Sequence, residues 1–300
     1  MAHGFELLGE RVALSVIVNT ADDLELHGLL VSPDLDTVMY TLAGVANDAT
    51  GWGVRDETWS AAEMLARYGA PTWFRLGDRD LATHILRTAA VRGGARPTEI
   101  AATLAAALGI RASLLPMTDQ PVSTKVRTPD GWLDFQDYFV RRGHGDDVLE
   151  LCIAGAADAR PTPEVIGAVG GADLVVIAPS NPFVSVGPIL AVPGMKDMLL
   201  ETGAPVVAVS PIVGGAAVRG PAAAMMAALA HLPVTAAGVA TYYAATYPGL
   251  IDVLVLDKAD AGESEAVART GVRPLATNTL IGAADDRRRL AEELLALARH

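Results

Sequence analysis

Four aspartates near the start of the chain have the residue type and the spacing of a metal site. Asp22 and Asp23 lie in the polar loop 19–23 that follows the apolar, β-branched run 12–18, and Asp34 and Asp36 come soon afterwards. Ligands of α/β sheets bind beyond the carboxyl ends of the strands. Because Mg(II) prefers oxygen ligands and often shares them with substrate phosphates, these carboxylates predict a cation site next to a phosphorylated ligand.

A structural interpretation of the same residues is left open at this point. Ser32 has the residue type of a helix N-cap, and Pro33 has that of a first helical residue. Asp34 and Asp36 would then offset the dipole in the first helical turn, and the earlier pair would be solvated loop acids. The spacing alone does not decide between a metal site and a helix start.

Three loops that follow apolar segments contain residue types that bind phosphate. They are the segment 75–79, the pair Ser180 and Asn181, and the segment 214–221. In the last of these loops, Gly214 and Gly215 allow close backbone approach, and Arg219 supplies a cation before a helix start. Each loop is a weak signal alone, since glycines after strands often only form turns. Together the three loops favour a nucleotide or diphosphate ligand.

Composition and missing motifs narrow the class of protein. The net charge of -12 argues against an overall nucleic-acid-binding surface. The single cysteine, Cys152, permits no internal disulfide, which suits a reducing cytoplasm. No apolar run approaches the roughly 20 residues of a membrane span, and the first eleven residues lack the order of a signal peptide. We therefore expect a soluble, cytoplasmic protein without P-loop or G-x-S-x-G chemistry.

Strand-like and helix-like segments alternate along most of the chain. This alternation predicts an α/β fold with a Rossmann-like, mostly parallel sheet in one domain that spans residues 1–300. The turn sequence Pro129-Asp130-Gly131 predicts an antiparallel hairpin, so we expect an inserted helical and hairpin lobe. The expected strands are 12–18, 72–76, 112–115, 122–128, 132–140, 148–153, 173–178, 205–209 and 250–256. The expected helices are 37–46, 52–68, 81–91, 99–108, 222–230, 236–245 and 285–299.

Several longer segments resemble the 2-phospho-L-lactate transferase family. They are NTADD at 19–23, SPDLDTVMYTLAG at 32–44, RLGDRD at 75–80, LPMTD at 115–119, APSNP at 178–182 and VGPIL at 186–190. The resemblance extends from about Val12 to the C-terminal region. The second segment and the stretch from APSNP to VGPIL are far more specific than a generic glycine motif.

The resemblance implies a function in the biosynthesis of coenzyme F-420. Family members transfer a phospholactyl or phosphoenolpyruvyl group from a diphospho-guanosine donor to the 5'-hydroxyl of the deazaflavin Fo. GMP leaves, and Mg(II) is required. The resemblance also implies a homodimer. A binding protein of the same fold, impaired in catalysis, is the alternative expectation.

Roles for individual residues follow from the same resemblance. Asp22 and Asp36 match the acidic metal and catalytic site, and Asp36 and Arg75 match residues that contact Fo. The other residues expected to bind substrate are Asp78, Ser180, Asn181, Gly214, Gly215 and Arg219. The family typically opens with a strand and a glycine-rich loop of the form L-x-G-G-x-G-G-A. This chain begins with MAHGFELLG, which resembles the inside of the following helix, so we expect that strand and loop to be absent from these 300 residues.

Overall fold

The computed structural model describes residues 1–218 and 220–299 and has a mixed α/β architecture built on parallel strands. Its strands are β1 Ser15–Val18, β2 Leu24–Leu26, β3 Leu29–Val31, β4 Ser113–Pro116, β5 Ser123–Thr128, β6 Gly131–Asp134, β7 Glu150–Ala154, β8 Val175–Ile177, β9 Val206–Val209, β10 Ile212–Val213, β11 Ala216–Ala217, β12 Val253–Asp257 and β13 Arg273–Thr277. Its α-helices are α1 Ala2–Glu6, α2 Pro33–Leu42, α3 Ser60–Arg67, α4 Asp78–Arg92, α5 Pro97–Ala107, α6 Pro163–Gly170, α7 Gly187–Ala191, α8 Met195–Glu201, α9 Ala222–Leu229, α10 Ala236–Thr246, α11 Ser264–Ala268 and α12 Ala284–Leu295. Short 3-10 or π-helical segments lie at Gly9–Arg11, Asp137–Arg141, Ala156–Asp158, Pro182–Val186, Lys258–Glu263 and Ala296–Arg299.

The larger parallel sheet has the strand order β13-β12-β9-β8. All residues of β9 and β12 are buried, as a sheet covered on both faces requires. Alternate residues face opposite layers: Val207 and Val253 pack with helices α1 and α12, whereas Leu254 packs into the main core on the other face. The strongly apolar sequence of these two strands therefore places them at the centre of the sheet.

A second parallel pair positions the acidic loop. Strand β1 pairs with β4 in the register Ser15↔Ser113, and α2 and α5 pack against the pair through side chains such as Met39 and Ala101. Among the described residues, no strand pairs with the second edge of β1 or of β8. The loops that follow these two strands nevertheless meet, because Asn19 Nδ2 donates to the carbonyl oxygen of Val184 at 3.2 Å.

An antiparallel lobe of order β6-β5-β7 confirms the expected hairpin at Pro129-Asp130-Gly131. The expected strand 132–140 is wrong beyond Asp134, because a π-helical turn follows and buries Tyr138 while Phe135 stacks on Phe139. A second, smaller hairpin joins β2 to β3 through His27 and Gly28, both with positive φ. That turn geometry is typical of two-residue hairpin loops.

Other boundaries also differ from the expectation. The segment 72–76 forms no strand, and the helix expected at 52–68 begins only at Ser60. Helix α2 begins at Pro33, as the Ser32-Pro33 pair indicates, and ends at Leu42. Strand β13 was not expected, because Pro274 and the mixed composition of this strand weaken the strand pattern. Most of the remaining elements lie within a few residues of their predicted positions, the usual uncertainty of element ends.

Among the described residues, no single helix is both long and apolar enough to cross a bilayer. The segments Pro182–Ala191 and Met195–Glu201 meet the length and composition requirements only when taken together, and they are bent by 87° relative to each other.

Candidate active site

Asn19, at the carboxyl end of β1, connects two of the four predicted aspartates. Its side-chain Nδ2 donates to Asp22 Oδ2 at 2.9 Å and to Asp34 Oδ2 at 3.2 Å. Its Oδ1 accepts a hydrogen bond from the backbone N–H of Ala21 at 2.9 Å, which fixes the amide orientation. The loop after β1 and the first turn of α2 are therefore held together at one edge of the sheet.

Asp22 has an unusual environment for a carboxylate. Asn19 binds one of its oxygens, but Oδ1 is buried and has no hydrogen-bond partner among the described residues. Burial raises the pKa of Asp22 well above its ordinary value, and the negative charge of Asp34 raises that pKa further. The nearby hydroxyl of Thr124, which is also buried without a hydrogen-bond partner by distance and angle among the described residues, lowers the pKa in part. Since a buried polar atom normally has a partner, Oδ1 is a position where a ligand, a cation or a proton would be stabilised.

Ser32 is the N-cap residue of α2, as predicted, but its side chain does not cap the helix. Its hydroxyl donates to Asp23 Oδ2 at 2.6 Å and makes no capping bond to the helix. Asp34 lies in the first turn of α2, where partial burial raises its pKa. The positive end of the helix dipole therefore faces this acidic loop and favours negative charge there. Asp22, Asp23 and Asp34 form the acidic cluster of the site.

Asp36 belongs to a buried network on the neighbouring side of α2. Both carboxylate oxygens pair with the guanidinium of Arg87, with Nη1 at 2.9 Å from Oδ2. His84 Nδ1 lies 3.6 Å from Asp36, and His84 Nε2 lies 3.2 Å from Asp80. The hydroxyl of Tyr40 donates to Asp80 at 2.7 Å.

This network has ligand types and spacing that suit a metal. Asp36, Asp80 and His84 each offer one atom, and these atoms lie within 4.8 Å of one another. Arg87 already supplies a positive charge to Asp36, so the buried group has a counterion without a metal. The arrangement is therefore suited to holding the side chain of Asp36 in one orientation.

Arg75 and Asp78 are near α3. The guanidinium carbon of Arg75 lies 4.1 Å from the ring centroid of Trp59, which is a cation–π contact. Asp78 accepts hydrogen bonds from Thr58 Oγ1 at 2.6 Å and from the backbone N–H groups of Ser60 and Ala61 at 3.0 Å. These hydrogen bonds, led by that of Thr58, lower the pKa of Asp78. In this structure Asp78 therefore stabilises the start of α3.

Ser180 and Asn181 follow β8 at its carboxyl end. Asn181 Oδ1 accepts a hydrogen bond from the backbone N–H of Phe183 at 2.9 Å, so it caps the helical turn Pro182–Val186. Because Asn19 binds the carbonyl of Val184 in that turn, this loop lies next to the acidic cluster. The structure thus brings the predicted donor loop and the predicted metal loop together.

Gly214 and Gly215 form the turn of the hairpin β10–β11, with φ values of +59° and +77°. Such positive values at both positions are typical of a two-residue hairpin turn. The N–H of Gly214 points at Asp260, with its carboxylate oxygens at 3.0 and 3.1 Å. Arg219, predicted to bind phosphate, lies outside the described residues.

The sequence patterns did not predict a role for four residues of the site: Asn19, Asp80, His84 and Arg87. The last three are spaced i, i+4 and i+7 on α4, which places polar side chains on one helical face. That face is buried, and a buried polar face on a helix is a recognisable sign of a network. Asn19 lay within the NTADD segment, but nothing in its residue type indicates that it joins two aspartates.

The fold and the site together define a class of enzyme. The protein has a Rossmann-like α/β fold, and carboxylates lie beyond one of its parallel strands. One of these carboxylates has an unpaired, buried oxygen. These are features of a group-transfer enzyme with a phosphorylated substrate. The family described as 2-phospho-L-lactate transferase CofD matches residues 1–292. The chain belongs to this family.

Relatives and solved structures agree with that assignment. A phosphoenolpyruvate transferase of Streptomyces griseus is 44% identical over 290 residues, which cover 95% of this chain and 90% of the relative. A 2-phospho-L-lactate transferase of Methanosarcina acetivorans is 42% identical over 285 residues, with the same two coverages. A crystal structure of a UPF0052 family member from Bacillus halodurans superposes with a TM-score of 0.65 at 15% identity, covering 98% of this chain and 94% of that chain. At 15% identity, the similarity to the Bacillus halodurans structure supports the fold alone.

Proposed function

We propose that this protein transfers a phospholactyl or phosphoenolpyruvyl group from a diphospho-guanosine donor to the 5'-hydroxyl of the deazaflavin Fo, as a step in coenzyme F-420 biosynthesis. The names of the relatives supply the reaction class. The observation that carries the proposal is the buried, unpaired Oδ1 of Asp22 at the carboxyl end of β1. This oxygen supports the proposal because it is unpaired and lies beside Asn19, which contacts the loop expected to bind the donor.

The transfer is a displacement at phosphorus. The 5'-hydroxyl oxygen of Fo attacks the phosphorus that bears the lactyl or enolpyruvyl group, and a new P–O bond forms. The bridging P–O bond breaks, and its electron pair leaves with GMP. The hydroxyl proton passes to Oδ1 of Asp22, whose raised pKa brings it closer to the range of an effective general base. Asp36, oriented by Arg87, contacts the acceptor from the neighbouring side.

The residues fit a divalent cation. The buried carboxylates of Asp22 and Asp36 supply hard oxygen ligands, and Asp34 lies beside Asp22 through Asn19. We propose that Asp22 and Asp36 hold Mg(II), with Asp34 as the neighbouring carboxylate. When bound, Mg(II) would neutralise charge on the diphosphate of the donor. Asp36 would then share its carboxylate between the cation and Arg87.

The other predicted residues complete the proposal. Arg75 binds the acceptor together with Asp36, and Asp78 supports this side of the site through its hydrogen bonds to the start of α3. The donor-binding residues are Ser180, Asn181, Gly214, Gly215 and Arg219. The loop at Asn181 contacts the acidic cluster through Asn19. This contact supports the assignment of that loop to the donor, because a donor phosphate bound there would lie near Asp22. A single domain of residues 1–300 and a cytoplasmic location belong to the same proposal and rest on the sequence patterns, whereas a homodimer rests on the family resemblance.

The test is a reconstituted reaction. Purified protein is incubated with Fo, Mg(II) and either the lactyl or the enolpyruvyl donor, and Fo consumption and GMP release are measured together. We expect stoichiometric formation of GMP and product with at least one donor. Fo binding without turnover of either donor would contradict the proposed activity.

Arg75→Ala separates the acceptor site from the donor site. We expect this substitution to raise the KM for Fo several-fold and to leave the KM for the donor nearly unchanged, because Arg75 is exposed beside Trp59. Arg67→Ala, at the exposed end of α3, is the matched control. The opposite pattern, with donor affinity lost and Fo affinity kept, would place Arg75 in the diphosphate site.

A further inference from the structure

The starts of helices α3 and α4 have no capping side chains of their own. Gly77, the N-cap residue of α4, has no side chain, and Trp59, the N-cap residue of α3, makes no side-chain capping bond. Because the first N–H groups of a helix lack partners within the helix, they need acceptors from elsewhere. Glu57 supplies an acceptor to α4, and Asp78 supplies one to α3. We call Glu57, Gly77 and Asp78 the reciprocal cap.

Glu57 caps α4 with both oxygens of its carboxylate. Oε2 accepts a hydrogen bond from the N–H of Arg79 at 2.8 Å, and Oε1 accepts one from the N–H of Asp80 at 2.8 Å. The carbonyl oxygen of Thr58 accepts the N–H of Asp78 at 2.9 Å, so three N–H groups of the first turn are bonded to the segment before α3. Negative charge at a helix N-terminus is favourable, so each carboxylate of the reciprocal cap stabilises the other helix.

Gly77 makes room for the carboxylate of Glu57. A Cβ atom at position 77 would overlap the carboxyl group of Glu57. The backbone of Gly77 has φ of -77° and ψ of 162°, an extended conformation that any residue adopts. The glycine is therefore needed for the close approach of Glu57 and not for its own backbone conformation. An alanine at this position would displace the flexible end of Glu57 and leave the chain path unstrained.

Arg75 and Trp59 lie just outside the reciprocal cap, two residues before Gly77 and two residues after Glu57. The guanidinium carbon of Arg75 lies 4.1 Å from the ring centroid of Trp59. Within the described part of the chain, this cation–π contact is the polar interaction that holds the Arg75 side chain. Because the reciprocal cap fixes the two segments against each other, it sets the position at which Trp59 holds the guanidinium.

The other end of the reciprocal cap continues into the buried network around Asp36. Glu57 holds the N–H of Asp80, whose carboxylate accepts the hydroxyl of Tyr40 at 2.7 Å and lies 3.2 Å from His84 Nε2. His84 Nδ1 in turn lies 3.6 Å from Asp36. The two sides of the reciprocal cap therefore lead to Arg75 and to Asp36.

We propose that Glu57 is a positioning residue of the acceptor site, which acts through the reciprocal cap on the orientation of Arg75. The inference rests on the proposed function, in which Arg75 and Asp36 contact the acceptor. Glu57 itself does not touch substrate, because both of its carboxylate oxygens are bonded to the start of α4. Loss of the reciprocal cap therefore weakens binding of the acceptor and leaves binding of the donor unchanged.

Glu57→Gln is the first test of this role. The substitution keeps the length of the side chain but turns one acceptor oxygen into a donor that faces a backbone N–H. We expect about a tenfold rise in the KM for Fo and in the Kd for Fo measured by calorimetric titration, with the donor KM nearly unchanged. Glu63→Gln is the matched control, because Glu63 is exposed on α3 and makes no side-chain hydrogen bond among the described residues. Thermal melting checks that both variants are folded.

Gly77→Ala tests the same contact from the other side, in a cycle with Glu57→Ala. Gly77→Ala displaces the Glu57 carboxylate, so we expect it to raise the KM for Fo by about the same factor as Glu57→Ala. The double variant should resemble either single variant, because the group that the new methyl displaces is already gone. A purely structural role of Glu57 would instead lower the melting temperature without a selective change in the KM for Fo.

The outcomes separate this inference from the proposed function. Turnover of Fo by the wild-type protein, with an unchanged KM for Fo in Glu57→Gln, would overturn the positioning role and leave the transferase activity standing. Equal rises in the Fo and donor KM values, or multiplied effects of Glu57→Ala and Gly77→Ala in the double variant, would also contradict it. Wild-type protein that neither binds nor consumes Fo would overturn both the proposed activity and the positioning role that rests on it.

Discussion

Asp22 and Asp257 both lie at the carboxyl end of a parallel strand, Asp22 in the loop after β1 and Asp257 as the last residue of β12, yet their surroundings differ. Asp257, at the end of β12, accepts hydrogen bonds from the N–H of Ala259 at 2.9 Å and from the N–H and hydroxyl of Thr279 at 2.8 and 3.1 Å. Burial alone would raise the pKa of Asp257, but these hydrogen bonds outweigh it and lower the pKa. Asp22, at the loop after β1, has one oxygen unpaired and a raised pKa.

The difference separates a structural aspartate from a functional one. At Asp257 both carboxylate oxygens accept hydrogen bonds from the loops that follow β12 and β13. At Asp22 the fold buries a carboxylate and leaves part of its binding capacity unused, which is unfavourable for folding and useful for a ligand. The same residue type at the same end of a parallel strand can therefore hold the chain together or bind a substrate.

The largest effect that we expect is the loss of activity in Asp22→Asn. This substitution keeps the shape of the side chain but removes the base and one negative charge. We expect kcat for Fo consumption to fall by about 10²- to 10⁴-fold, the range typical of removing a general base. Asp257→Asn should keep most of the activity per folded molecule. Comparable kcat losses in the two variants would remove the distinction between the two aspartates.

The next effect concerns stability and the pair of Arg87 with Asp36. Arg87→Met leaves the carboxylate of Asp36 buried without its counterion, and we expect a loss of about 3–5 kcal/mol in the free energy of unfolding. Denaturant titration measures this loss. Arg92→Met is the matched control on α4, because Arg92 is exposed and its one side-chain hydrogen bond within the described part of the chain goes to the carbonyl of Gly28.

A double variant tests whether the loss comes from the unpaired charge. Arg87→Met combined with Asp36→Leu removes both partners, so it should recover a substantial part of the stability that Arg87→Met loses. Its activity should stay low, because Asp36 is part of the proposed site. Additive losses in the double variant would show that the two side chains stabilise the fold independently.

A smaller effect is expected at the structural aspartate. Asp257→Asn places an amide N–H₂ near the backbone donors of Ala259 and Thr279, and it removes a charge that strengthens those hydrogen bonds. We expect a loss of about 1–3 kcal/mol in the free energy of unfolding. Unchanged stability, measured by denaturant titration at neutral pH, would contradict the structural role of Asp257.

The sequence could predict the positions of these aspartates but not their environments. The continuous apolar pattern located β9 and β12 within a few residues, and the Ser32-Pro33 pair located the start of α2. The partners of Asp36 could not be predicted, because Arg87 lies 51 positions away and is brought close only by the packing of α4 on α2. Phe135 was interpreted as part of a strand, because its apolar neighbours resemble β-structure and local patterns do not indicate a π-helical turn.

The smallest expected effect is a gain in stability in Asp22→Asn, and its pH dependence has a definite sign. The folded protein raises the pKa of Asp22 above its ordinary value of 3.8, so the folded state binds this proton more tightly than the unfolded state does. Between pH 3.8 and the raised folded pKa the wild-type protein therefore loses stability as pH increases, and above that window the penalty is complete. Asp22→Asn cannot ionise, so without divalent cations it should be more stable than wild type above that window. That advantage should disappear below pH 3.8.

Asp257→Asn should behave in the opposite way, because the lowered pKa of Asp257 provides stability at neutral pH that is lost as pH falls. Melting both variants and wild type with EDTA across this pH range measures the two signs. A destabilised Asp22→Asn at pH 8 would mean that Asp22 is held by interactions as favourable as those of Asp257.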